Sequence, residues 1–158
     1  MGSFDFTFKS VGRTSQQRKD AELVTTAMPI GLKTPVRANP NGGIFDVHYV
    51  MADQVADNLR NLLLTNWGER LTLYNYGANL RPILSDFVSQ DDFDSQAVER
   101  ISSAVSRWMP YVSLENYLSE TDFSENNNGL SAVRLTITYS VPALAVVKRA
   151  LQLILYVM

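Results

Sequence analysis

The 158-residue sequence has no cysteine and a single histidine, His48. Disulfides and thiolate-bound metals are therefore excluded, and a zinc site would have to be built from one imidazole and carboxylates, a poor donor set. The lack of cysteine fits a reducing compartment. Charge of one sign is also scarce. Fourteen Lys and Arg against sixteen Asp and Glu leave a net charge of −2, and the basic residues gather only as Arg18-Lys19 and Lys148-Arg149. Nucleic-acid binding draws on a concentrated cationic face, so nucleic acid is not expected as a partner. Long apolar runs are missing too. The C-terminal stretch from Ala143 to Met158 is apolar, but it falls short of the roughly 20 residues a spanning helix needs and is broken by Lys148-Arg149. The opening Met1-Gly2-Ser3-Phe4-Asp5-Phe6 has no basic segment and no long apolar run, so it does not read as a signal peptide. Phe6 stands where a myristoylation site wants Ser or Thr. No membrane partner is expected.

Catalytic patterns are absent as well. There is no Gly-x-Ser-x-Gly elbow and no glycine-rich phosphate loop; Gly42-Gly43 is a turn signal. His48 is the only imidazole base available to a Ser/His/Asp arrangement. Glycoside hydrolysis needs two carboxyl groups held across one bond. Glu69, Asp86, Asp91, Asp92, Glu99 and Glu115 are available, but their spacing singles out no pair, and acids near helix starts commonly cap or are solvated. The expectation is a non-enzymatic chain with no catalytic residue, metal, cofactor or small-molecule substrate.

What the sequence has is material for a core: 46% hydrophobic and 19% charged residues, ordinary for a folded domain. Phe4, Phe6 and Phe8 alternate with polar residues, predicting an extended arm, and residues 10–22 are polar without periodicity. Met28-Pro29-Ile30-Gly31-Leu32 leads into a loop punctuated by Asn39-Pro40-Asn41-Gly42-Gly43. A first helix is predicted from an Asp53 N-cap, with Val55, Leu59, Leu62 and Leu63 on one face and an end at Asn66-Trp67-Gly68, where Gly68 takes a left-handed cap conformation. Leu71 to Tyr74 read as a short strand or extended turn. Leu80, Ile83, Leu84 and Phe87 predict a short second helix, with Pro82 in its first turn. The acidic loop at 90–94 leads to a third helix with Val98, Ile101, Val105 and Trp108 on one face, stopped by Pro110.

After Pro110 the period changes to two. Val112 and Leu114 open a strand expected as far as Leu118, and Ser124 to Gly129 form a turn. Val133, Leu135, Ile137, Tyr139 and Val141 alternate with Arg134, Thr136, Thr138 and Ser140, the pattern of a half-buried antiparallel strand. Burying each of its apolar side chains contributes about 1.5–3 kcal/mol before entropy costs. Residues 143–158 are compatible with a helix, but Leu151 to Val157 are rich in strand formers; a crossover followed by a strand is favoured. The fold class is α+β: a small domain of about three helices on a short, mostly antiparallel sheet, with N- and C-terminal arms. The expected divisions are an arm over 1–27, the domain over 28–142 and a crossover with a strand or arm over 143–158.

Thr65-Asn66-Trp67-Gly68-Glu69-Arg70 followed by Tyr76-Gly77-Ala78-Asn79-Leu80 reads locally as a helix end, a tight reversal and a second helix, with Glu69 and Arg70 able to hold backbone groups of the turn. In this order the pieces resemble the wedge proteins of contractile-phage baseplates, the lysozyme-like wedge family also found in type VI secretion baseplates. That family carries a leucine-rich helix, here Leu59 to Leu64, a Thr-x-x-Gly-Glu-Arg turn at Thr65, Gly68, Glu69 and Arg70, and an aromatic-Gly-x-x-Leu element at Tyr76, Gly77 and Leu80. The resemblance runs over roughly residues 28 to 156. One departure stands out. Around Pro110 the family has Glu and Arg, and this chain has Met109 and Tyr111.

The resemblance implies a structural part of a tail baseplate, located in the virion and assembled in the host cytoplasm. Its partners would be other wedge proteins and the tail sheath protein. It implies a wedge contact at Trp108, Met109, Pro110 and Tyr111, either apolar here where the family's is charged or moved elsewhere on the chain; for Trp108 the alternative is core packing. It also implies a template for the first sheath ring by β-strand addition, for which Leu151, Leu153, Leu155 and Val157 are the candidate edge or arm. Some family members are described as lysozyme-like; that activity is not carried over, because the residues supply no convincing acid and nucleophile. The alternatives are a secretion-system baseplate component, a cell-wall hydrolase, and a cytosolic binder like the bacterial anti-adaptor proteins that share this fold.

Overall fold

A computed structural model describes residues 28–39, 43–86, 90–122 and 132–156. The expected arm at Phe4 to Phe8, the polar stretch after it, Phe87, the turn at Ser124 to Gly129 and Val157 lie outside the described residues. The chain divides into two compact units between Gln54 and Val55.

In the first unit, strands β1 (Gly31–Leu32) and β2 (Val47–His48) pair antiparallel, with Gly31 opposite His48 and Leu32 opposite Val47. The lead-in at Ile30 to Leu32 is thus one side of a two-stranded ribbon. The Ile30 N–H donates to the His48 carbonyl at 2.8 Å, and Lys33 meets Asp46 at 3.1 Å. Both partners of that ion pair are substantially exposed, so it adds little.

The second unit contains most of helix α1 (Met51–Leu64), helices α2 (Leu80–Asp86) and α3 (Gln90–Trp108), and strands β3 (Ser113–Asp122), β4 (Ala132–Val141) and β5 (Val146–Tyr156). The strands form one antiparallel sheet in the order β3-β4-β5. The α+β architecture is as the sequence predicts. Strand β4 is central, and it alternates from Val133 onward: Val133, Leu135, Ile137, Tyr139 and Val141 are buried, while on the other face Arg134 is exposed and Thr136, Thr138 and Ser140 are half-buried. Those side chains join Leu59, Leu62 and Leu63 of α1, Leu80, Ile83 and Leu84 of α2, and Phe93, Ala97, Ile101 and Val105 of α3 in a single core. Among the described residues, no helix is long and apolar enough to cross a membrane.

Five details depart from the sequence reading. Helix α1 starts two residues before Asp53, which lies in its first turn and suits the helix dipole there rather than capping it. The helix ends at Leu64, before Asn66. Helix α3 begins at Gln90, so the acids expected in a loop form its first turn. Its buried face runs through Phe93, Ala97, Ile101, Ala104 and Val105, which leaves Val98 40% exposed. Finally, residues 142–145 form a tight connection, a 3-10 turn ending in Ala145 at φ 54, so β5 folds back on β4 as a hairpin without a crossover.

Strand β3 carries a bulge. Leu114 faces Tyr139 and Asn116 faces Thr138, so Glu115 is the extra residue. Before the bulge Val112 and Leu114 point to the core; after it Tyr117 and Ser119 do, and Leu118 is left 56% exposed. One inserted residue flips the strand's faces because the side-chain period is two.

Candidate functional site

The Thr65 to Leu80 segment is built around the end of α1. The last turn of any helix leaves carbonyls without intrahelical donors. Here the returning chain supplies them: the Ala78 N–H donates to the Leu62 carbonyl at 3.1 Å, and the Asn79 N–H to the Thr65 carbonyl at 3.3 Å. The Thr65 hydroxyl turns back onto the Asn61 carbonyl. Gly68 takes φ +86, the left-handed conformation expected of it, but its role differs from a helix cap. Its N–H donates to the Tyr74 carbonyl at 2.8 Å and closes the 68–74 loop.

Gly77 is the position that needs glycine most. It sits at φ +111, and a Cβ there would overlap the Thr65 carbonyl oxygen and lie 2.7 Å from its carbon. The chain can pass this close to the helix end only without a side chain. Two asparagines then cross-link the reversal. The Asn66 side-chain oxygen accepts from the Arg81 N–H in the first turn of α2 at 3.2 Å, and the Asn79 side-chain oxygen accepts from the Trp67 N–H at 3.3 Å. Their sequence signal was only that asparagine favours helix boundaries.

Glu69 and Arg70 act separately. The Glu69 carboxylate accepts from the Asn66 N–H and the Asn66 side-chain amide, both at 2.8 Å. These bonds hold its carboxyl below the usual carboxylate range. The Arg70 guanidinium lies 3.8 Å from the centre of the Tyr76 ring, and Tyr76 in turn packs on Trp108 at 5.2 Å. The motif is thus a structural lock, satisfied almost wholly from within itself.

The expected wedge contact divides by burial. Met109 is a core residue and Trp108 is half-buried against Tyr76, whereas Pro110 and Tyr111 are exposed. In β5, Leu151 and Leu153 face the core and Leu155 is half-buried. Their side chains anchor the strand, and what β5 presents outward is its backbone edge together with Val147, Ile154 and Tyr156. Among the described residues β5 pairs with β4 alone, so an eleven-residue edge strand is left open on one side. A groove of about 350 Å³ adjoins its end, lined by Leu63, Leu64, Leu80, Leu84, Ile154 and Tyr156. No group of acidic residues and histidine among the described residues could hold a metal ion.

No protein-family model and no curated protein matches the sequence. Solved structures do share its fold. A Geobacter sulfurreducens protein classed by name with tail lysozymes matches 71% of this chain and 96% of its own, with a TM-score of 0.57 at 18% identity. A chain of the anti-feeding prophage baseplate matches 80% of this chain and 84% of its own, with a TM-score of 0.52 at 20% identity. At these identities the likeness establishes a common fold, one that occurs in a baseplate.

Proposed function

We propose that this chain is a structural, non-enzymatic component of a contractile-tail baseplate wedge. It joins wedge-core subunits at the exposed Pro110-Tyr111 corner beside Trp108, and it offers β5 as the first template for a strand of the tail sheath. Its place is then the virion baseplate, with assembly in the host cytoplasm; a secretion-system baseplate is the nearest variant. The observation that carries this reading is the fold shared with the anti-feeding prophage baseplate chain across most of both chains. The open edge of β5 supports the templating step, because an edge strand presents unpaired N–H and C=O groups that an added strand satisfies.

A hydrolytic reading, which the name of the Geobacter protein invites, finds no support at the motif. Glycosidic general acids need a raised pKa, and Glu69 is held anionic by its two bonds to Asn66.

The templating step is tested at Ile154, which is 48% exposed on the outward face of β5. Lysine is a natural block on sheet edges. Ile154→Lys should leave the thermal melt of the isolated chain unchanged yet prevent sheath from assembling on baseplates carrying the variant. Normal sheath assembly with the variant would refute the β5 edge as template.

A further inference from the structure

We propose that the cleft between the 65–79 reversal and helix α3 is a receptor for an acidic segment of a protein partner. The cleft has a volume of about 480 Å³ and is open to solvent. Arg100 and Arg107 line it from α3. They are seven residues apart, so they share one helix face about 10.5 Å apart along the axis.

Both guanidiniums are held in place by neutral groups. Arg100 lies 5.7 Å from the Trp67 ring centre and donates to the Asn79 carbonyl at 2.7 Å. Arg107 lies 5.2 Å from the Trp108 ring centre, and with the Asn75 amide oriented to face it, the Asn75 oxygen accepts from Nη2 at 2.9 Å and Nη1 at 3.2 Å. Among the described residues, neither guanidinium is within ion-pair distance of a carboxylate. Each arginine has five N–H donors in a planar fork, so donors and charge are left over. Two cations are therefore pre-ordered by stacking and neutral acceptors, and neither is paired with a carboxylate among the described residues.

Such forks match carboxylates in bidentate geometry, and pre-ordering removes part of the entropic cost of binding. The fitting ligand carries at least two carboxylates, one for each arginine. A nucleic acid is the poorer match. Glu99 also lines the cleft and the whole chain carries −2, so no broad cationic field surrounds the two arginines. The inference stands on the cleft alone and holds whichever assembly the chain joins.

The test titrates the full chain with a fluorescein-labelled peptide of alternating glutamate and glycine, read by peptide anisotropy and by the tryptophan emission of the protein. The expected result is saturable binding that weakens with salt and is lost when the peptide's glutamates are replaced by glutamines. Binding should weaken about tenfold or more in the double variant Arg100→Gln, Arg107→Gln. If that variant fails to melt cooperatively, Ser103→Glu decides. Ser103 is exposed on the cleft wall between the arginines, and a carboxylate there would occupy them in place of the ligand. No binding by the native chain, equal binding by a cooperatively melting variant, or displacement of the peptide by a single-stranded oligonucleotide at equal charge concentration would each overturn the proposal.

Discussion

Gly68 and Gly77 both hold positive φ, at +86 and +111, but their surroundings differ. Around Gly68 nothing lies within 4 Å of where a Cβ would stand, so Gly68→Ala meets only the intrinsic cost of left-handed backbone. That cost is about 1–2 kcal/mol. At Gly77 the same methyl would overlap the Thr65 carbonyl, whose oxygen is already engaged by the Asn79 N–H. Moving the chain away would break that bond and the neighbouring one from Ala78 to Leu62. Adding the overlap to the backbone strain gives about 3–5 kcal/mol for Gly77→Ala. For a domain of this length each kcal/mol lowers Tm by about 2–4 °C, so Gly68→Ala should cost about 2–8 °C and Gly77→Ala about 6–20 °C. Scanning calorimetry of the two variants beside the native chain measures both. Equal shifts would refute the argument that the returning chain must pass against the end of α1.

Three further outcomes follow from the same geometry. Because the folded pKa of Glu69 is lowered, its contribution is present at neutral pH and is lost as pH falls below the ordinary carboxyl value of 4.5 through the folded one. The Tm difference between native chain and Glu69→Gln should therefore be small, since the side chain is exposed, and should vanish in acid; a constant difference would mean the charge is not what holds Asn66. The Tyr117 hydroxyl donates to Asp94 at 3.1 Å, and burial, with Asp94 beside it, pushes its pKa up from 10.0. The stability this brings is full below pH 10 and lost as pH rises toward the folded value, so Tyr117→Phe should flatten the alkaline loss of Tm. Met109→Ala, at a core position 5% exposed, should cost about 2–5 kcal/mol in chemical denaturation, whereas Tyr111→Ala, 46% exposed, should stay within about 0.5 kcal/mol and weaken capture of wedge-core subunits.

Where side-chain period alone decides, the sequence was readable. Strand β4 has aliphatic or aromatic residues at every second position from Val133, and the leucines of α1 repeat at the helical spacing, so both elements follow directly from pattern. Helix α3 was placed but rotated. Its buried face depends on Ala97 and Ala104, small residues that carry little hydrophobic signal, while Val98 is the more apolar residue and points outward. The bulge at Glu115 is a single-residue backbone event with no compositional mark, and it decided the face of Leu118; the turn over 142–145 is marked by Pro142, but its left-handed end at Ala145, which allows the hairpin to β5, is not.

The lock around α1 was legible as a motif but not as a mechanism. Gly68, Glu69 and Gly77 are recognisable turn residues. The contacts that explain them join Thr65 to Asn79, Asn66 to Arg81 and Trp67 to Asn79 across 12 to 15 residues, between polar side chains and backbone groups that hydrophobic pattern does not report. The arginine-lined cleft was invisible for the same reason. Arg100 and Arg107 read as surface charges on a helix until the reversal brings Trp67, Asn75 and Asn79 beside them.

The central claim is that the chain is a fixed part of a tail baseplate, and it is tested by quantitative mass spectrometry of purified, intact tail particles before and after removal of the sheath. The account predicts the chain at a low, constant ratio to sheath protein, and retained in the baseplates once the sheath is gone. Its absence from clean particles, with the chain recovered instead from the soluble cytosol, would contradict the account and favour a regulatory binder.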